Sequence, residues 1–199
     1  MPCSSVDHSP DLLARAREGD LAAFSQIMEA EQPRLLAQSL SFCGDPQAAQ
    51  DFVQETMIAA WKSFDRFDGS CRLFTWLYVI LLRQHQRSLG WFSRRLPLAT
   101  LEQQTAAWRD HAVSPQDSPA DSAEADLIRA MIAALSDRHR KVVRLRFYAG
   151  ASEAEIATAL GISIGTVKSR LHHALEKLRR MKEKMNRLRD RDALTARNR

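Results

Sequence analysis

Apolar residues recur every three to four positions along almost the whole chain, the spacing that lines up one face of an α-helix. Leu12, Leu13 and Ala16 predict a short first helix, and Leu21, Phe24, Ile27 and Met28 a longer second one. Gly19-Asp20 separates them, with Asp20 placed as the N-cap of the second. Pro33 predicts a fresh helical start that runs through Leu35, Leu36 and Leu40. In "CGDPQAAQD" Asp45 followed by Pro46 is a cap-then-proline start. Phe52, Val53, Met57, Ala60, Trp61 and Phe64 form the apolar stripe of the helix that follows. The polar "DRFDGSCR" predicts a loop or helix junction; the helical pattern resumes at Leu73 and fades near Gly90. Helix returns at about Asp126, breaks at Ser136 and Gly150, and continues to about Lys184. Neither strand alternation nor an internal repeat is found, so the fold class is all-α.

Between the two helical blocks the pattern lapses. Residues 91–125 hold Pro97, Pro115 and Pro119 among Ser, Ala and Asp, a composition that suits a flexible linker. Trp91 and Trp108 are the exceptions, since tryptophan in a linker usually lies against something. The expected layout is an N-terminal tail (1–10), a helical domain (11–90), an acidic linker (91–125), a second helical domain (126–185) and a basic tail (186–199). The first domain, at roughly eighty residues, is large enough to sustain its own core.

Charge sharpens this division. The formal net charge is +5, yet Asp110 to Asp126 contains acids and no Lys or Arg, whereas Lys168 to Arg191 is dominated by cations. A cationic segment of this kind is the footprint of a nucleic-acid partner, although a solvated helix face would look similar. Cys3, Cys43 and Cys71 form no C-x-x-C pair and read as reduced thiols of a cytoplasmic protein, the latter two partly buried. "LFTWLYVILL" is too short to span a bilayer and is bounded by Arg72 and Arg83, so no membrane insertion is expected. The N-terminus lacks the cationic start and apolar core of a signal peptide. The six histidines form no ligand or triad pattern with the cysteines and acids, and no phosphate-binding glycine loop is present. No catalytic residue, metal or cofactor is expected, and the chain is not expected to be an enzyme.

"SEAEIATALGISIGTVKSRLHH" carries the densest local signals. Ser152 with Glu155 makes a capping box, Ala157 is small where two helices must approach, and Gly161 frees the backbone for a turn. Ser163 caps the next helix and Val167 returns to the core, which together make a helix-turn-helix. With Val167, Leu171 and Leu178 inward, the outer face collects Ser163, Thr166, Lys168, Ser169 and His172. The N-terminal part of such a helix enters the major groove, where Lys and Ser/Thr donate to base edges. Arg170, His173 and Lys177 are better placed for phosphates. An ordinary helical hairpin with a polar face is the plainer reading, and the hydroxyl-rich cationic face weighs against it.

The stretch from Ala134 to Arg179, "ALSDRHRKVVRLRFYAGASEAEIATALGISIGTVKSRLHHALEKLR", resembles the C-terminal domain of extracytoplasmic-function (ECF) sigma factors of bacterial RNA polymerase. That likeness implies a helix that reads the −35 promoter element. "DFVQETMIAAWKSFDRFDGSCRLFTWLY", Asp51 to Tyr78, resembles the same family's core-polymerase-binding and promoter-melting segments more specifically. Asp51, Gln54, Glu55 and Ile58 share one helical face, and the resemblance implies that they, with Trp61, bind core polymerase. It implies a −10 and melting surface at Asp65, Arg66, Phe67, Gly69, Ser70, Arg72 and Phe74, with the Gly69–Arg72 loop capturing an unstacked base. Trp76 is better read as core, beside Leu73, Leu77 and Ile80.

The likeness lapses after Trp76-Leu77-Tyr78. Where the family continues with basic and polar residues this chain reads "VILLRQHQRSLGW", with Val79 and Leu82 apolar. Arg83, Gln84, Gln86 and Arg87 remain available for DNA, and two alternatives follow: an unusual −10 element, or heavier reliance on the −35 domain. The resemblance covers roughly residues 11–90 and 126–182 and implies three partners: core RNA polymerase, promoter DNA and an anti-sigma factor. The alternative is a conventional helix-turn-helix activator that binds DNA without core polymerase.

Overall fold

The computed structural model describes residues 8–95 and 127–197. The described residues are helical and turn segments with no strand. In chain order they are α1 (Pro10–Arg17), α2 (Leu21–Cys43), α3 (Pro46–Trp61), a 3₁₀ turn (Phe64–Arg66) and α4 (Leu73–Arg95). A short helix α5 (127–133) follows, then α6 (Asp137–Phe147), α7 (Glu153–Leu160) and α8 (Ile164–Arg197). The expected linker from residue 96 on lies outside the described residues, as does the start of the N-terminal tail.

Most helix starts sit where the sequence placed them, because side chains satisfy amides that a first turn leaves unpaired. The Asp20 carboxylate accepts from the Ala22 and Ala23 amides at 2.9 and 3.1 Å. Asp45 accepts from the Gln47 amide at 3.0 Å, with Pro46 in the first turn. The Glu155 amide donates to Ser152 Oγ at 3.2 Å, and the Ser152 amide donates to Glu155 Oε2 at 2.8 Å, completing the capping box. Gly161 closes α7 at φ +65°, a left-handed conformation that a side chain would strain.

Three expectations are corrected. Pro33 starts no new helix; α2 runs unbroken through it to Cys43. Proline removes one amide from the ladder, but the fully buried Ile27 and Leu35 on either side hold the helix to the core. α4 extends past Gly90 to Arg95. α8 extends past Lys184 to Arg197, because Lys, Arg, Glu, Ala and Leu supply helix propensity and no Pro or Gly follows Gly165.

In the first domain, α2 lies between α1 and α3, and α3 packs on α4. Its aromatic centre is Phe24, with Trp61 at 5.0 Å and Phe64 at 5.2 Å between ring centroids. In the second, Val142, Leu145, Ile156, Val167 and Ala174 close a core between α6, α7 and α8. The two cores are continuous, since α4 also packs against α6 and α7.

Candidate nucleic-acid and polymerase interface

α3 turns one edge to solvent. Asp51, Gln54, Glu55 and Ile58 are all exposed, and Ile58 is 50% exposed. Val53, Thr56 and Ala60 occupy the opposite side of the same helix and are buried. Thr56 is spared a penalty by donating its hydroxyl to the Phe52 carbonyl at 2.6 Å. Trp61 is half-buried against Phe24, so its indole borders this edge while anchoring the helix. The arrangement offers two carboxylates and an amide around one apolar contact, the composition of a protein-docking patch.

The segment from Asp65 to Arg72 is a polar loop on an aromatic floor. Asp65, Arg66, Gly69, Ser70 and Arg72 are exposed. Gly69 adopts φ +76°. The Ser70 amide donates to Asp68 Oδ1 at 2.9 Å, and the Ser70 side chain, then this amide, hold the Asp68 carboxyl below its ordinary range. Phe67 and Phe74, expected on the −10 surface, are instead buried, only 3% and 4% exposed. Phe67 packs on Trp76 at 5.4 Å, and Phe74 stacks on Tyr78 at 5.8 Å under the Arg34 guanidinium at 3.5 Å. Large rings gain most from burial, and here they shape the loop from beneath. Trp76, read as core, is half-buried on Phe64 and Phe67.

The sequence reading missed Arg17. Its guanidinium lies 5.6 Å over the Phe67 ring, and a Cβ on Gly69 would stand 3.5 Å from its Nη2. Arg17 thus adds a cation to the loop from α1, with no signal in the sequence beyond a basic last turn. Arg83 and Arg87 are exposed further along α4. Cys71 is buried, and its thiol is pushed up to about 11 by that burial and by Glu155 and Asp68, which keeps it unreactive.

α8 presents the third surface. Ser163, Lys168, Ser169, His172 and His173 are exposed, and Thr166 and Arg170 are half-exposed. The Thr166 amide donates to Ser163 Oγ at 3.2 Å, and the Ser163 and Thr166 hydroxyls are 2.9 Å apart. Lys168 Nζ stands 3.9 Å from Glu153, too loose to hold it. Lys177, expected at phosphate, donates to the Ala134 carbonyl at 3.2 Å and so ties α8 to the end of α5. His139 was not anticipated. Partial burial, then Arg138, His173, Lys177 and Arg170, push its imidazole down, so these side chains share one positive field. The "DRHRK" run at the start of α6 is the signal that could have found it.

Among the described residues no cluster of three or more His, Cys, Asp or Glu could hold a metal ion, and no helix is long and apolar enough to cross a membrane.

An exposed acidic and amide edge, a polar loop on an aromatic floor and a helix-turn-helix on one helical chain fit a transcription initiation factor. Residues 27–90 match Sigma-70 region 2 and residues 131–180 match Sigma-70, region 4. The chain is 31% identical over 176 residues to the RNA polymerase sigma-H factor of Pseudomonas aeruginosa, covering 85% of this chain and 91% of that one. It is 33% identical over 172 residues to the ECF RNA polymerase sigma factor SigL of Mycobacterium tuberculosis, covering 82% and 91%. Among solved structures it resembles the sigma factor RpoE in complex with the anti-sigma factor NepR from Bartonella quintana. That likeness has TM-score 0.58 and 25% identity over 80% of this chain and 96% of that one. The chain belongs to the ECF sigma factors: it binds core RNA polymerase and directs promoter-specific initiation of transcription. The alternative of an activator independent of polymerase falls with the region 2 match.

Proposed function

We propose that the three surfaces divide the work of a sigma factor. The α3 edge of Asp51, Gln54, Glu55, Ile58 and Trp61 docks on core polymerase. The loop residues Asp65, Arg66, Gly69, Ser70 and Arg72, with Arg83 and Arg87, engage the −10 element during melting. On α8, Ser163, Thr166, Lys168, Ser169 and His172 read the −35 element, while Arg170 and His173 hold phosphates. The domain boundaries follow: 11–90 for polymerase and −10 binding, 126–185 for −35 binding. The protein has no catalysis or cofactor of its own and works in the cytoplasm. An anti-sigma factor is a further partner, a reading supported by the RpoE relative having been captured with NepR.

The observation that carries the polymerase assignment is Ile58, half-exposed within an acidic and amide rim on a helix whose opposite face is buried. An apolar contact inside a polar rim is where binding energy concentrates. Affinity capture of purified core polymerase tests it. Wild type retains polymerase; Ile58→Lys, with unchanged helicity, loses most of it. Equal retention by both proteins would contradict the assignment.

A further inference from the structure

The polar loop from Asp65 to Arg72 carries no net charge. Its two acids, Asp65 and Asp68, cancel its two cations, Arg66 and Arg72. A nucleic-acid strand is a polyanion, and a surface that holds one gains affinity by neutralising phosphates with Lys or Arg. The excess cation at this loop comes from another element.

α1 supplies it. This helix packs on α2 and on the 3₁₀ turn that opens the loop, with Ala16 as its buried residue. The next residue, Arg17, is exposed in the last turn. Its guanidinium stands 5.6 Å from the centroid of the Phe67 ring. Phe67 is itself fixed, with Phe64 at 5.9 Å and Trp76 at 5.4 Å between ring centroids. Attraction to an aromatic face positions a cation without using a carboxylate partner. Gly69 lies on the other side: a Cβ there would be 3.5 Å from Arg17 Nη2, so glycine leaves that nitrogen uncovered from the loop.

Arg15, two residues earlier, shows the alternative. Its Nε donates to Asp20 Oδ2 at 3.0 Å, so its charge is already paired. Among the described residues Arg17 makes no hydrogen bond or ion pair of that kind. Asp68 is close enough to feel its charge, which adds to the effect of the Ser70 side chain and amide, but no bond joins the two. A guanidinium that is positioned, exposed and free of a carboxylate matches the two-oxygen edge of a phosphate. Arg17 also stands outside residues 27–90, the part of this domain matched to Sigma-70 region 2.

We propose that Arg17 binds a backbone phosphate of the unpaired promoter strand at the Gly69–Arg72 loop. This rests on the −10 reading of that loop given above. Arg17 carries no sequence information in this role; it holds the strand in register while the loop residues meet the bases.

Holoenzyme assembled from the full chain and purified core polymerase tests the contact. The probe is a promoter recovered by wild-type holoenzyme from a random-sequence library, remade with mismatches that leave its −10 segment unpaired. Arg17→Met keeps an apolar side chain over Phe67 and removes the charge, whereas Arg17→Lys keeps the charge. Near about 0.1 M salt, Arg17→Met should bind at least about fivefold more weakly, with a salt slope lower by about 0.7, the value for one single-strand phosphate. Arg17→Lys should keep the wild-type slope. Both variants should keep wild-type helicity and wild-type capture of core polymerase, which places the loss at the DNA. An unchanged slope for Arg17→Met would overturn the proposal. So would a weakening that Arg17→Lys shares in full, since either result marks Arg17 as a structural cover on Phe67. Arg66→Ala, within the loop, separates the contact from the reading beneath it. If Arg66→Ala weakens binding and Arg17→Met does not, the phosphate contact alone falls; if neither does, the −10 reading falls with it.

Discussion

α4 and α8 are both long helices, and they meet the rest of the molecule in opposite ways. Between Ile164 and Arg187, α8 buries Val167, Leu171 and Ala174 along one stripe and leaves its opposite side exposed. α4 is enclosed from Leu77 to Leu82. A single stripe announces which face is free for a partner, so the exposed face of α8 follows from its periodicity. An all-round apolar helix announces only that two neighbours exist. The identity of the second neighbour depends on packing that no local pattern encodes. That is why helical spacing located the solvent-facing side of α8 and gave no view of what lies over α4.

The sharpest way to break the comparison is to remove bulk from each helix. Leu81→Ala, at a fully buried site in α4, should cost about 3 kcal/mol in urea unfolding, whereas Leu178→Ala, on the half-buried end of the α8 stripe, should cost about 1 kcal/mol. Equal losses would mean that the two helices are covered alike.

Acid probes the same enclosure. His85 is buried on α4, edge-on to Phe52 at 5.4 Å. Burial, then the positive charges of Arg144 and Arg140 on α6, push its imidazole down to about 4. A histidine held below its unfolded value favours the fold while neutral. Its contribution is therefore complete above about pH 6.5 and is lost as the pH falls toward 4, by roughly 3 kcal/mol at most. Urea midpoints at pH 7 and pH 4.5 should fall steeply for wild type and less for His85→Gln; parallel falls would remove His85 as the cause. Glu155 acts at still lower pH. Burial works against its charge, but hydrogen bonds from Arg72 and Ser152 hold the carboxyl down to about 2. Its contribution is present above about 4.5 and fades as the pH drops below that toward 2.

On α8 the effects are smaller and specific. Lys168→Ala should weaken recognition of a preferred −35 duplex by about 1–2 kcal/mol and relax its sequence preference. Arg170→Ala should instead weaken all duplexes and reduce the salt slope by about 1. Fluorescence anisotropy across a salt series separates these outcomes, and identical behaviour of the two variants would contradict the division between base and phosphate contacts. A similarly small effect is expected of Ser152→Ala, about 1 kcal/mol of second-domain stability from the lost cap. Thermal unfolding would measure it, and an unchanged transition would deny the cap its role.

Much of this molecule was legible because its signals are local. Asp20, Asp45, Ser152 and Ser163 cap helices within three residues of themselves, and Gly161 turns the chain where the helix-turn-helix needs it. The exposed edge of α3 follows from residue spacing within a single helix. Pro33 was misread because a local breaker was outweighed by the buried Ile27 and Leu35, a tertiary effect. Phe67 and Phe74 were ambiguous for the same reason: an aromatic near a polar loop suits either a base or a core, and here packing buries both. Arg17 over Phe67, and Arg72 on Glu155 83 positions away, pair residues that no periodicity links.

The central claim, that the α3 edge joins this chain to polymerase, is tested most directly by run-off transcription with purified core polymerase on a random-sequence promoter library. Wild type is compared with Gln54→Ala and Glu55→Ala combined, both exposed side chains whose removal leaves the core intact. The account predicts new promoter-dependent transcripts with wild type and at least about tenfold fewer with the variant, at unchanged stability, the effect expected when hot-spot contacts are truncated. Full activity from the variant would contradict the α3 assignment, and no transcripts from wild type would contradict the account as a whole.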